Sequence, residues 1–408
     1  MTEGNGTTPD LRPQQVLQPE IRSLTGLRAI AAMWVVVFHL HFTPADPYAK
    51  YWAPFSPLIK SGHLGVDLFY VLSGFVIVHV YLNKVGARFS PRPVLSFLWA
   101  RVCRVWPAYA VVVNLFGVWL LLRSWRWPGE PIAYQTVQPV LSAWSWLKQM
   151  LLVQLWPKPF FDGTSWVGAT WSVSAEWLAY CLFPIGALLI YRLRRLPAVV
   201  LTTLAFTAML PMVGMTYFTG TPYFAWSWVL RILLGFLAGA LICLAVRRLP
   251  KTDRVRQIAN WVSIVVLVEI GFILWWADTQ QGADLYGVAM LLFPLLVGSL
   301  ALSDAGPARF LSGDILVHGG RISYSLYLVH VPIFEIFWTL SVHVPRIGPG
   351  SKLDTLLVPQ LLLVALLAAH LLWRYVEEPA RKKLRKYDPG KLRRRTPAPE
   401  PEPALARG

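Results

Sequence analysis

Ten apolar runs, each long enough to cross a bilayer, constrain this chain more than any motif in it. Their approximate limits are 24–42, 64–83, 105–123, 170–191, 198–216, 226–246, 258–277, 285–302, 322–341 and 355–374. A hydrocarbon core of about 30 Å takes about 20 residues of helix. Inside hydrocarbon every backbone N–H and C=O must find its partner within the segment, so runs of this kind become helices. The expected fold is an all-α integral membrane protein, a bundle of about ten transmembrane helices. The fifth run is the weakest, because Pro211 and Gly214 interrupt it. Only 14% of the residues are charged, against about 25% in soluble domains. Twenty tryptophans suit aromatic belts at the two interfaces.

Basic residues set the orientation. Of the 38 Lys and Arg, 29 fall on the side of the N-terminus, eight on the other side, and Arg231 inside a span. The positive-inside rule then makes both termini cytoplasmic and the protein a multi-pass component of the cell membrane. The net charge of +17 does not argue for nucleic acid, because eleven cations lie from Arg374 onward. A basic run of that kind beside a membrane suits anionic lipid. Residues 1–20 read as a disordered tail without the apolar core of a signal peptide, and 21–379 as one membrane domain. Residues 380–408 read as a basic and then Pro/Glu-rich cytoplasmic tail. Cys103, Cys181 and Cys243 are too few and too scattered for a disulfide framework, and no Cys/His cluster suggests a metal.

The chemistry lies in polar residues inside the spans. Arg28 and His39 are eleven residues apart. That spacing puts them on one helix stripe, about 16 Å apart along the axis. Ionisable groups at such depth are costly unless something satisfies them, so the pair suggests a polar pathway. A snorkelling arginine and a hydrogen-bonded histidine are the plainer reading. Asp67, in the outer half of the second span, is expected at the level of His39, where a carboxylate beside imidazole makes a general-base unit. Its simpler role is a pair at the helix start with His63.

Arg101 and Arg104 share a face near the cytoplasmic end, level with Arg28. Three guanidinium groups at one depth suit a polyphosphate, although the orientation rule alone also puts arginines there. Ser172 and Glu176 face the same way, again in the outer half, and a Glu between tryptophans marks a site unless it bonds another helix. Arg231 and Glu269 are expected as a structural ion pair, and His79 and His370 as satisfied core histidines. Ser323, Tyr324, Ser325 and His330 form a denser polar face that lines the same cavity on this reading.

Five stretches together resemble one family. Arg28 with ten residues before His39, Gly65 to Phe75 (GVDLFYVLSGF), Arg101-x-x-Arg104-x-x-Pro107, Trp171-Ser172-x-x-x-Glu176, and Ile322 to His330 (ISYSLYLVH) resemble the acyltransferase family 3 membrane proteins, in family order. The likeness runs from about Ile21 to about Pro379. It implies a ten-helix enzyme that moves an acyl group, most often acetyl, from acyl-CoA to a hydroxyl of a cell-surface glycan or a macrolide. Acyl-CoA would be a co-substrate, with no permanently bound cofactor. Arg28, Arg101 and Arg104 would hold its phosphates, and His39 would act as general base or carry the acyl group. Asp67 or Glu176 would relay the proton, and Ser172 would bond the reacting carbonyl. Two departures stand out: the chain ends in a basic tail where many sugar-modifying members carry a hydrolase-like domain, and Ala175 replaces the first of two acidic residues. A proton-coupled transporter using His39, Asp67 and Glu176 as a relay is the rival class. No inverted repeat supports it.

Overall fold

The computed structural model describes residues 20–44, 48–280 and 283–391. Among these residues there is no strand, and ten stretches are long and apolar enough to cross a membrane. The helices that matter below are α1 (Arg22–Leu40), α2 (Gly65–Val85), α3 (Pro91–Arg126), α4 (Ala143–Met150), α5 (Trp171–Leu193), α6 (Ala198–Thr219), α7 (Ser227–Arg248), α8 (Asp253–Thr279), α9 (Phe293–Leu302), α10 (Asp314–His343), α11 (Lys352–Leu372) and α12 (Glu378–Leu384). All but α4 and α12 belong to the ten runs read from the sequence. The fifth run forms an uninterrupted helix, α6, with Pro211 accommodated inside it.

The packing follows small residues. In a membrane, helices gain little from apolarity alone and associate where small side chains let their backbones approach. A Cβ on Gly74 of α2 would collide with the Phe236 carbonyl, and one on Gly239 of α7 with that of Val71. These two glycines make α2 and α7 one of the tightest pairs in the bundle. Helices α1 and α10 form another, with Gly320 pressed on the Thr25 carbonyl. Helices α1, α2, α5 and α10 surround the polar interior.

α5 begins inside the bundle, because the chain before it folds inward. Between α3 and α5, α4 lies along the middle of α3: Trp106 Nε1 donates to the Met150 carbonyl (2.9 Å) and Trp146 Nε1 to Asn114 Oδ1 (2.9 Å). The following turn rests on α5 through Ser174, whose hydroxyl donates to Leu152 O (2.8 Å). Irregular backbone inside a bundle needs partners within the protein, and buried Gln149 and Gln154 supply some, donating to Thr164 O (3.1 Å) and Thr170 O (3.5 Å).

At the other end, the basic segment does not leave the bundle at residue 380. α12 and the turns to residue 391 fold back along the start of α3: Trp99 Nε1 donates to Leu384 O (2.9 Å) and Ser96 Oγ to Asp388 (2.8 Å). Glu20 pairs with Arg321 at the same end of the bundle. The expected disordered tails, 1–20 and the Pro/Glu-rich end, fall almost wholly outside the described residues.

Candidate active site

A narrow cavity of about 50 Å³ opens inside the bundle. Arg28 of α1, Ser73 of α2, Ser172 and Glu176 of α5, and Tyr324 and Tyr327 of α10 line it. The motif residues from four separate helices therefore converge. Ser172 and Glu176, expected at the level of His39, line the same cavity as Arg28, expected near the inner end.

Among the described residues Glu176 makes no ion pair, although Arg101 is close enough to feel its charge. It accepts hydrogen bonds from Ser73 Oγ and from Tyr180 OH (2.6 Å), both neutral donors. Among the described residues Arg28 makes no hydrogen bond or ion pair; its guanidinium lies 5.7 Å from the Phe69 ring centre and its Nε is buried without a partner. Ser172 Oγ meets Tyr327 OH at 2.6 Å, and both hydroxyls reach the Ala169 carbonyl (3.2 and 2.7 Å). Two hydroxyl protons serve that triangle, one on the carbonyl and one between the oxygens. Ser172 thus orients Tyr327 in the cavity wall.

The other two arginines surround the lower rim in different ways. Arg101 lies over the rings of Tyr81 and Tyr180 (5.2 and 5.8 Å) and donates to Tyr81 OH (3.1 Å). Arg104 pairs with Glu377, which also accepts from Ser325 Oγ (2.7 Å), and lies 5.8 Å from the Tyr324 ring centre. Arg28, Arg101 and Arg381 are close enough to repel Arg104. The cluster of three expected arginines therefore forms, with Arg381 as a fourth that the sequence reading left in the tail.

His39 stands one turn above the cavity. Its Nδ1 lies 2.9 Å from Val35 O and 3.3 Å from Nε2 of the fully buried His330. Tyr327, in the cavity wall, has its ring 5.7 Å from that of His330. A polar column thus runs from Arg104 and Arg28 through Tyr324 and Tyr327 to His330 and His39.

Asp67 is absent from that column, which corrects the expected pairing with His39. Arg231 binds both its carboxylate oxygens, Nε at 2.8 Å and Nη2 at 2.7 Å, with both side chains buried. The expected Arg231–Glu269 pair is corrected by the same contact, and Glu269 is exposed on α8. The cause is helix phase: Asp67, Val71 and Gly74 lie on the α2 face turned to α7, where Arg231, Gly235 and Gly239 answer at four-residue spacing. A guanidinium enclosed in a bundle requires a bidentate anion, and Asp67 is the one on that face. His370 pairs with His318 (3.2 Å), whereas buried His79 Nε2 has no partner, against the expectation of a satisfied histidine.

The geometry is matched by comparison with known proteins. A family model described as an acyltransferase domain matches residues 21–374. The chain is 27% identical to the peptidoglycan O-acetyltransferase OatA of Listeria monocytogenes, over 89% of its own length and 56% of the relative's. It is 26% identical to the O-acetyltransferase OatA of Staphylococcus aureus, over 88% and 57%. It thus spans just over half the length of these two proteins. With the acyltransferase MdmB of Streptomyces mycarofaciens it shares 27% identity over 94% of its length and 95% of the relative's. No solved structure matches it. A match over most of the length, with the motif residues gathered about one cavity, settles the classification: the chain belongs to the acyltransferase 3 family of membrane proteins.

Proposed function

We propose that the protein is a membrane O-acyltransferase that takes an acyl group, by preference acetyl, from acyl-CoA and gives it to a hydroxyl on the opposite side of the membrane. The single observation that carries the reading is the polar column: an arginine cluster at one end, an accessible imidazole at the other, and a cavity between. Arg28, with its unpartnered Nε, Arg101 and Arg104 hold the donor phosphates. The thioester arm rises past Tyr324 and Tyr327. At the top His39 takes the proton of the acceptor hydroxyl; the oxygen attacks the thioester carbonyl, the C–S bond breaks, and the sulfur leaves with the proton returned by the imidazole. Glu176, which makes no ion pair among the described residues, orients the polar groups of the cavity through Ser73 and Tyr180.

The acceptor class is a cell-surface or exported glycan, or a macrolide-type metabolite; the peptidoglycan O-acetyltransferase among the relatives favours the glycan. Anionic lipid headgroups meet the basic segment around α12. The test is release of free CoA from acetyl-CoA by the purified protein in nanodiscs, with wild type beside His39→Ala. Turnover in the wild type and none in a folded variant supports the reading. No turnover and no acetyl-CoA binding by folded wild type would contradict it. Nothing in the geometry favours a transporter.

A further inference from the structure

Three hydrogen-bond contacts around His39 admit one assignment of protons at the three nitrogens they involve. A carbonyl oxygen only accepts, so the nitrogen that contacts it must carry hydrogen. His39 Nδ1 is 2.9 Å from Val35 O, and His330 Nδ1 is 3.2 Å from Leu326 O. Both rings are therefore protonated at Nδ1. The remaining contact, His330 Nε2 to His39 Nδ1 at 3.3 Å, then has its hydrogen already supplied by His39. His330 Nε2 must be a bare lone pair, because a second hydrogen there would face the first. His330 is thus neutral, consistent with its complete burial between Tyr327 and Phe334. In neutral His39 the bare lone pair is then on Nε2. That nitrogen has no partner among the described residues and is not among the buried orphan atoms, so it stays accessible.

We propose that His330 is a positioning residue for His39: its neutral imidazole accepts from His39 Nδ1–H, fixes that tautomer, and presents Nε2 bare to the acceptor hydroxyl. The inference rests on the reading of His39 as the reacting base. It differs from the familiar arrangement in which a carboxylate orients the histidine. A buried anion here would need a cation, and Asp67, the nearest expected candidate, is held by Arg231. A neutral acceptor orients the ring at no such cost. When His39 takes a proton at Nε2, the charged ring keeps two acceptors, Val35 O and His330 Nε2, on its other nitrogen. Loss of one hydrogen bond to a charged group costs about 10- to 100-fold in rate.

The test compares His330→Ala with His330→Gln, whose side-chain carbonyl reaches about as far as Nε2 and accepts in its place. Both are assayed for CoA release in nanodiscs beside wild type and His39→Ala, with thermal unfolding recorded. The expected result is a fall in kcat of about 10- to 100-fold for the alanine variant, no change in KM for acetyl-CoA, and partial recovery in the glutamine variant. An alanine variant as active as wild type, while His39→Ala is dead, would overturn the role of His330 alone. So would equal loss in the alanine and glutamine variants at unchanged stability. Activity in His39→Ala would instead remove the reading on which this one rests.

Discussion

Two of the places inside the bundle where a guanidinium and a carboxylate from different helices come together use them differently. At the α2–α7 contact, Arg231 and Asp67 bind each other through two bonds and exclude solvent. In the cavity, Arg28 and Glu176 line one space without pairing, both half-buried. Charges taken out of water are tolerated only when compensated. The first pair compensates both charges, with Arg231 Nη1 left over as a buried donor. The second leaves the cation open and surrounds the anion with hydroxyl groups. Among buried charges, the lack of a partner and not burial alone marks the site.

The largest break in this comparison is expected at the closed pair. Arg231→Leu leaves Asp67 buried and uncompensated, so the detergent-purified protein should lose about 3–5 kcal/mol of stability. Adding Asp67→Leu should restore most of it in the same thermal unfolding experiment. Arg28→Gln should leave unfolding unchanged and raise KM for acetyl-CoA by about 10- to 100-fold, since it removes a charge-assisted phosphate contact. Glu176→Gln, which keeps the shape and an acceptor, should lower kcat by about 10-fold at constant stability.

The smallest effect is expected outside the spans, at Asp284. Its carboxyl lies 3.7 Å from His63 and is pushed up to about 6 by burial, against the pull of Arg231. The unfolded chain ionises it near 3.8, so the stability it contributes is present at low pH and lost as pH rises through about 6. Asp284→Asn, which cannot ionise, should therefore match wild type near pH 4 and exceed it by about 1 kcal/mol above pH 6. Unfolding temperatures across that range check the sign.

Much of the molecule was legible in the sequence because a bilayer permits so few structures. Ten apolar runs fixed ten helices, and even Pro211 broke nothing. Arg28, Arg101, Arg104, Ser172 and Glu176 were legible as residues, since ionisable and hydroxyl groups in such runs stand out. Their gathering about one cavity was not, because counting along each helix does not say which neighbours face which. The partner of Asp67 was hidden by the same shortcut, which matched residues by depth and ignored helix phase. The signal was there: Asp67 lies seven residues before Gly74, and Arg231 eight before Gly239, the two glycines at which those helices touch. Glu377 and the return of α12 onto α3 left no comparable trace. That segment reads as a charged tail until Glu377 is found fully buried against Arg104.

The most direct test of the central claim, that the open arginine and not the closed pair serves the donor, is equilibrium binding of acetyl-CoA to the purified protein in nanodiscs. Arg28→Gln and the Asp67→Leu/Arg231→Leu double variant should be measured beside wild type. The account predicts at least about tenfold weaker binding in the first and wild-type affinity in the second. Wild-type affinity in Arg28→Gln, with binding lost in the folded double variant, would contradict it.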